Sequence, residues 1–200
     1  MERLTGISGN MFSGKTAELI QLIERAEMGE IKVQVFKPII DKRWGLETKI
    51  KSHSGAEHDA IPVNKSSEIL ERLETDVKIV AIDEAQFFDE EIVDVVDELL
   101  HRDIQVIVSG LPLDFRGEEF GPMPRLLARS DSLVRLTAVC KYVKDNGKVC
   151  GQDATRTQRI INGKPASYED PIILIGAEES YEARCLNHHD VPGKPERRFK

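Results

Sequence analysis

Three groups of residues in this chain have types and spacings suited to chemistry. The first is GNMFSGKT at 9–16, which fits G-x-x-x-x-G-K-[ST] in full. Gly9 and Gly14 permit dihedrals and close approach that side chains would block. The N–H groups of the loop, Asn10, Met11, Phe12 and Ser13 included, can then face phosphate oxygens together with a helix N-terminus. Lys15 supplies positive charge at the β/γ oxygens, and Thr16 offers a hydroxyl to Mg²⁺. The alternative is a chance Gly-Lys turn. The second group is Asp83 and Glu84, which close the apolar run KIVAIDE. Asp83 is placed to hold Mg²⁺ directly or through water. Glu84 is then free as a base toward water or a substrate hydroxyl. Spacing alone leaves open that Glu84 caps a helix or pairs with a lysine. The third group is Cys140 and Cys150, in CKYVKDNGKVC. Alone, these two read equally as a disulfide, half of a metal site, or unrelated small residues.

The elements that must position these groups follow from periodicity. LTGIS (4–8) reads as a strand entering the Gly-rich loop. In 16–28, Leu19, Ile20, Leu22, Ile23 and Ala26 have helical spacing, and Gly29 sits at the C-terminal cap. VQVFK (33–37) reads as a strand. Residues 41–62 read as polar and irregular, with a turn at SHSG (52–55). Ser66 starts a helix over 66–74. Residues 78–84 read as a buried parallel strand, 89–101 as a helix and 104–110 as a second buried strand. This alternation predicts an α/β core with a mainly parallel sheet. After about residue 138 the texture changes to cysteines, glycines and short β-like runs, ATRTQRII and PIILIG. A boundary there gives domains 1–138 and 139–200.

The totals exclude several classes. A hydrophobic content of 40% with 32% charged residues describes a folded, soluble domain and not a disordered one. The formal charge of −7 opposes a DNA-coating surface but leaves a local anion site possible. No apolar run is long enough to cross a bilayer, and no signal pattern opens the chain. Three cysteines are an odd number that no closed set of disulfides can use up, which favours a reduced, cytoplasmic protein.

GNMFSGKT, followed in order by FKPIIDKR, SHSG, DEAQFFD, GLPLDFRGEEFG, LTAVC, TRTQR and YEDPIILIGAEESYEARCLNHH, resembles the thymidine kinase family of the cytosolic, zinc-containing type. The resemblance covers nearly the whole chain. It implies a RecA-like core, a small zinc domain, a homotetramer, and Mg²⁺-dependent transfer of the ATP γ-phosphate to the 5′-hydroxyl of thymidine in nucleoside salvage. It implies that Glu84 accepts the proton and Asp83 serves the metal. It places Asp41, Lys42 and Arg43, with Ala85 and Gln86, near the nucleotide. Phe115 matches an aromatic packed on the thymine ring. Met11, Leu111, Phe87, Phe120, Thr157 and Tyr181 match its surroundings. Ile172, Ile173, Leu174, Ile175 and Gly176 match a closing loop whose backbone hydrogen-bonds the base edge. Thymidine triphosphate is implied as a feedback inhibitor. Phe36 and Phe88 read as core. Two positions depart from the family. Asn10 replaces a usual Pro, predicting that binding survives with a less rigid phosphate loop, and Pro112 replaces a common Asp, which puts any polar contact from that position in doubt but leaves Phe115 and Arg116 in place.

The resemblance also bears on the cysteines. The family's C-x₂-C pair is lengthened here between Cys140 and Cys150, as though YVK and KVC form a hairpin around DNG. Zinc requires convergence in space and not in sequence. Cys185 and His188 supply the other half at the family spacing, with His189 as runner-up for the last ligand. A Cys140–Cys150 disulfide is the alternative. Two readings of other classes use the same motifs: a RecA-like DNA-dependent ATPase, with Glu84 activating water, and a non-catalytic zinc-ribbon module.

Overall fold

The computed structural model describes residues 3–40, 48–173 and 179–196. They divide into two compact units. One holds residues up to Gly9, Gly14–Pro112 and Phe120–Leu136, and the other holds Asn10–Ser13, Leu113–Glu119 and the chain from Thr137 onward. Among the described residues no helix is long and apolar enough to cross a membrane.

In the first unit, β1 (Leu4–Gly9) runs through the loop into α1 (Lys15–Met28), then β2 (Val33–Pro38). A short pair follows, β3 (Lys49–Lys51) and β4 (Glu57–Asp59), then β5 (Ile61–Val63) and α2 (Ser67–Glu71). The remainder is β6 (Ile79–Ile82), α3 (Ile92–His101), β7 (Gln105–Gly110), α4 (Met123–Arg129) and β8 (Ser132–Leu136). The sheet order is β5-β2-β6-β7-β1-β8, with every pairing parallel. The phosphate-loop strand β1 and the acid-bearing β6 are therefore separated by β7 in the mainly parallel α/β core expected from the sequence. Alternate strand residues feed two cores, as the pleat requires. Leu4, Val80, Ile82, Val106 and Val108 pack with α2, α3 and α4 residues such as Ile69, Ile92, Val96 and Leu126. Ile7, Ile79, Ala81 and Ile107 pack with Leu19, Ile20 and Ile23 of α1. Phe36 and Phe88 belong to the first of these cores, as expected.

Two local expectations change. Residues 48–62 are not irregular, because β3 and β4 pair antiparallel around a turn at 53–55 and β5 joins the sheet edge. These strands have three residues each, too few to show alternation, yet Ile50 and Ala60 are buried in the α1 core. Ser66 makes no side-chain cap on α2, which ends at Glu71. Its hydroxyl donates instead to Asp89. At the end of α1 the left-handed residue is Glu30 (φ 57), one beyond the capping Gly29. Glu30 N–H to Glu27 O (2.9 Å) and Ile31 N–H to Ala26 O (3.1 Å) form the pair of bonds that closes such a turn.

In the second unit, β9 (Ala138–Val139) pairs with β10 (Asp153–Ala154). A three-stranded antiparallel sheet holds β12 (Lys164–Pro165), β11 (Arg156–Ile161) and β13 (Glu179–Arg184), in that order. Ala138, Cys140, Ala154, Ala183 and Cys185 make a core too small to suffice alone. Among 171–173 the chain bends and forms no strand, against the extended reading of PIILIG; Leu174, Ile175 and Gly176 lie outside the described residues.

Candidate active site and metal centre

The phosphate loop bends at two left-handed residues, Gly14 (φ 90) and Phe12 (φ 66). Gly14 takes this conformation freely. Phe12 does not, and such a non-glycine residue stores roughly 1–3 kcal/mol, a feature concentrated at ligand-binding loops. Gly14 leads directly into α1, whose first bond runs from Glu18 N–H to Gly14 O at 3.0 Å. Lys15 is buried and Thr16 half-buried. Asn10 does not loosen the loop. Its buried amide donates to Arg156 O at 3.2 Å, and its Oδ1 accepts Ala138 N–H at 3.3 Å. Neither bond is available to a proline. Met11 N–H donates to Thr157 Oγ1 at 3.1 Å, so these two expected pocket residues meet in the second unit.

β6 delivers the acids. Asp83 N–H bonds Phe36 O at 3.0 Å, continuing the parallel ladder one residue past the strand. Thr16 Oγ1 donates to Asp83 Oδ2 at 3.3 Å. The chain then turns left-handed at Glu84 (φ 51, ψ 43) and enters a 3-10 turn, Ala85–Phe87, with no capping bond from the Glu84 side chain. The buried Glu84 carboxylate accepts instead from Gln86 Nε2. Gln86 Oε1 in turn accepts Leu111 N–H at 2.9 Å. This clamp is packed tightly. A Cβ at Gly110 would stand 2.5 Å from Gln86 Oε1, and one at Gly121 would collide with the Gln86 carbonyl. Gln86, which the family resemblance places near the nucleotide, is the hydrogen-bond partner of Glu84.

Of the expected base-pocket residues, Leu111 is buried, and Phe87 and Phe120 pack edge to face at 5.3 Å in the first unit. In the second unit Phe115 is buried, with the Arg159 and Arg116 guanidinium groups 5.2 and 5.5 Å from its ring centre. Tyr181, half-buried in β13, stands opposite Arg159. Ile172 and Ile173 are exposed. Asp41, Lys42 and Arg43 lie outside the described residues. Sequence reading missed Arg159. It is fully buried, and its Nη1 donates to Pro171 O at 2.5 Å, while Arg116 Nη2 donates to Asp170 O at 2.8 Å. The two arginines tie the residues before Ile172 to the Phe115 ring. An arginine inside the motif TRTQR was the available signal.

The metal group converges. One ligand atom from each of Cys140, Cys150, Cys185 and His188 lies within 4.8 Å of all the others. His188 Nδ1 stands 3.2 Å from Cys185 Sγ and 3.7 Å from Cys140 Sγ. Tetrahedral zinc with its usual bond lengths implies sulfur–nitrogen separations of about 3.6 Å and sulfur–sulfur separations of about 3.8 Å. The donor set therefore fits zinc. All three cysteines are free thiols, so the disulfide alternative is not formed. The lengthened knuckle is a hairpin, bridged at Val143–Val149 and closed by Cys150 N–H to Tyr142 O at 2.7 Å. It also carries Tyr142, whose ring stacks on His188 at 4.1 Å. Burial pushes the Cys140 thiol up, but the Cys185 and Tyr142 backbones and the His188 ring outweigh it and bring it down to about 6. Burial pushes Cys185 up, and Cys140 beside it adds to the rise. His189 is not a ligand. Its Nε2 donates to Phe115 O at 2.8 Å. Burial, helped by Arg156 and Lys194, pushes its pKa down.

Residues 3–189 match the family model described as "Thymidine kinase". The chain belongs to the thymidine kinase family. The match takes in the phosphate loop, the acid pair and the Cys/His cluster, and the family's reaction is thymidine phosphorylation with ATP. Among solved structures, domain III of the replication initiation protein DnaA from Thermotoga maritima is similar at TM-score 0.43 and 17% identity, over 68% of this chain and 55% of that one. The genome packaging NTPase B204 from Sulfolobus turreted icosahedral virus 2, in complex with ATP-gammaS, is similar at TM-score 0.42 and 14% identity, over 73% and 78%. This chain thus spans about half the length of the first.

Proposed function

We propose that this chain transfers the γ-phosphate of ATP to the 5′-hydroxyl of thymidine, giving thymidine monophosphate and ADP. The observation that carries the reading is the arrangement at the end of β6. Asp83 faces the loop threonine Thr16, while the next residue, Glu84, is turned away from the strand and clamped by Gln86. Two adjacent carboxylates thereby have different partners and can have different roles.

Loop N–H groups and Lys15 bind the phosphates. Thr16 and Asp83 would hold Mg²⁺, which neutralises charge on the β- and γ-oxygens when bound. Glu84 takes the proton of the 5′-hydroxyl as that oxygen attacks phosphorus, and the β–γ bridging oxygen leaves with ADP. Arg43 is assigned to the transferring charge. Phe115, Thr157, Met11 and Tyr181 contact the nucleoside, as do Leu111, Phe87 and Phe120. The backbone of 172–176 reads the base edge, whose carbonyl, N–H and carbonyl suit main-chain groups. Cys140, Cys150, Cys185 and His188 would hold a structural zinc that supplements a small hydrophobic core. A cytoplasmic homotetramer inhibited by thymidine triphosphate completes the proposal.

The test is purified protein with Mg-ATP and each natural nucleoside in turn, with ADP and nucleoside monophosphate both measured. Equal yields of ADP and thymidine monophosphate are expected, and Glu84→Gln should lose at least about a hundredfold in kcat. Folded protein that releases ADP without thymidine would instead favour an ATPase.

A further inference from the structure

We propose that His189 is a positioning residue for the nucleoside base, acting on Phe115 through the Phe115 backbone carbonyl. The proposal rests on the assignment of Phe115 as the base-contacting aromatic. His189 follows a metal ligand in sequence but does not join the cluster. Its Nε2 points to Phe115 O at 2.8 Å. A carbonyl can only accept, so Nε2 carries the proton and the ring is a committed donor.

The segment that receives this bond is a tight turn with few ladder bonds. Asp114 closes it internally, accepting Arg116 N–H at 2.8 Å and Glu118 N–H at 3.0 Å on Oδ1. A single antiparallel bridge, Leu113–Glu119, spans its base. These contacts shape the turn, and the His189 bond then fastens its Phe115 carbonyl to the rest of the unit. Room for the imidazole comes from Gly117, where a Cβ would stand 3.4 Å from His189 Cε1.

The histidine is itself held on both sides. Before it, His188 belongs to the Cys/His cluster. After it, Asp190 exchanges two bonds with the buried Gln158: its N–H donates to Oε1 at 2.9 Å, and its carbonyl accepts from Nε2 at 2.8 Å. Tyr168 N–H then bonds Pro192 O at 2.8 Å, and Lys194 Nζ donates to Arg116 O. The segment 189–194 is thus a strap. It runs from the metal cluster and secures the turn that carries Phe115, while Arg159 and Arg116 secure the ring. One end of the strap begins at the Cys/His cluster, so a structural metal held there would steady the segment that carries His189.

The experiment compares His189→Leu, which keeps bulk without a donor, with His189→Gln, which restores an N–H at the same reach. Thymidine KM, ATP KM, kcat and zinc per chain are measured on intact protein. H189L should raise thymidine KM about tenfold, the effect of one lost hydrogen bond. ATP KM should stay within about twofold and zinc content should not change. H189Q should recover most of the loss. Should H189L not fold, H189N, whose amide stops short of the carbonyl, takes its place with the same expectation. An unchanged thymidine KM in active protein would overturn this inference alone. So would zinc loss that tracks the KM change without rescue by H189Q, because the histidine would then serve only the metal centre. A folded wild-type chain inactive on thymidine would overturn the kinase reading, and this inference with it.

Discussion

Replacing Gln86 by leucine tests the catalytic arrangement most directly. The side chain makes two bonds in a buried place, one to the Glu84 carboxylate and one from Leu111 N–H. A hydrogen bond to a charged group contributes about 1.5–3 kcal/mol, and a buried donor left unpaired costs about 1–3 kcal/mol. The first figure concerns the placement of the proposed base. If that placement is needed in the transition state, its loss lowers kcat by roughly ten- to a hundredfold at about 1.4 kcal/mol per decade. The second figure concerns folding, and should move the urea midpoint down by an amount equivalent to about 1–3 kcal/mol. The assay is steady-state kinetics at saturating Mg-ATP and thymidine, with urea unfolding of the same preparation. KM for ATP should change little, because the two bonds lost run to Glu84 and from Leu111. A kcat within about twofold of wild type, alongside the stability loss, would refute the clamp as a catalytic device and leave Gln86 a packing residue.

Gly121→Ala acts on the same clamp from the other side. It places a Cβ against the Gln86 carbonyl at a position with φ 51, where an alanine costs about 1–2 kcal/mol before any clash; loss of both Tm and kcat is expected, with kcat the measurement that links it to Glu84. Cys150→Ser should lower bound zinc from about one per chain by metal analysis, and chelation of wild type should destabilise the second unit, whose core is small without the metal. Asp89→Asn should remove a pH-dependent part of stability. Burial raises the Asp89 carboxyl, but the Ser66 hydroxyl and the Ser66 and Glu91 N–H groups outweigh it and hold the pKa low. A depressed carboxylate contributes stability above its unfolded value near pH 4 and loses it as pH falls through the folded value. Wild type and D89N should therefore differ in urea midpoint at pH 7 and converge below about pH 3.

Much of the site was legible because phosphate binding, metal ligation and buried strands each impose a local pattern. The proposed phosphate-binding role of loop 9–16 relies on contiguous backbone N–H groups, so its glycines and lysine fall within one short run. β6 and β7 are buried on both faces and read as unbroken apolar runs. Asn10 read as a loosening substitution because its two bond partners, Arg156 and Ala138, are more than a hundred residues away. The strands β3 and β4 were missed because a three-residue strand has no measurable period. Ser66 looked like a cap because its true acceptor, Asp89, belongs to a distant segment.

The residue types and their order along the chain determined the family, the α/β class, the phosphate-loop motif and the acid pair, and the family's spacing named the four members of the Cys/His cluster. The motif and the acid pair depend on chemistry that a side chain or a short run carries by itself. Only the tertiary structure decided which partner each group takes: Gln86 for Glu84, Arg156 and Ala138 for Asn10, Tyr142 for His188 and Phe115 for His189. The reason is that a buried donor or acceptor must be satisfied by whatever group folding brings within about 3 Å, and that group's identity is a property of packing. Local sequence supplies the groups, and long-range contacts assign them.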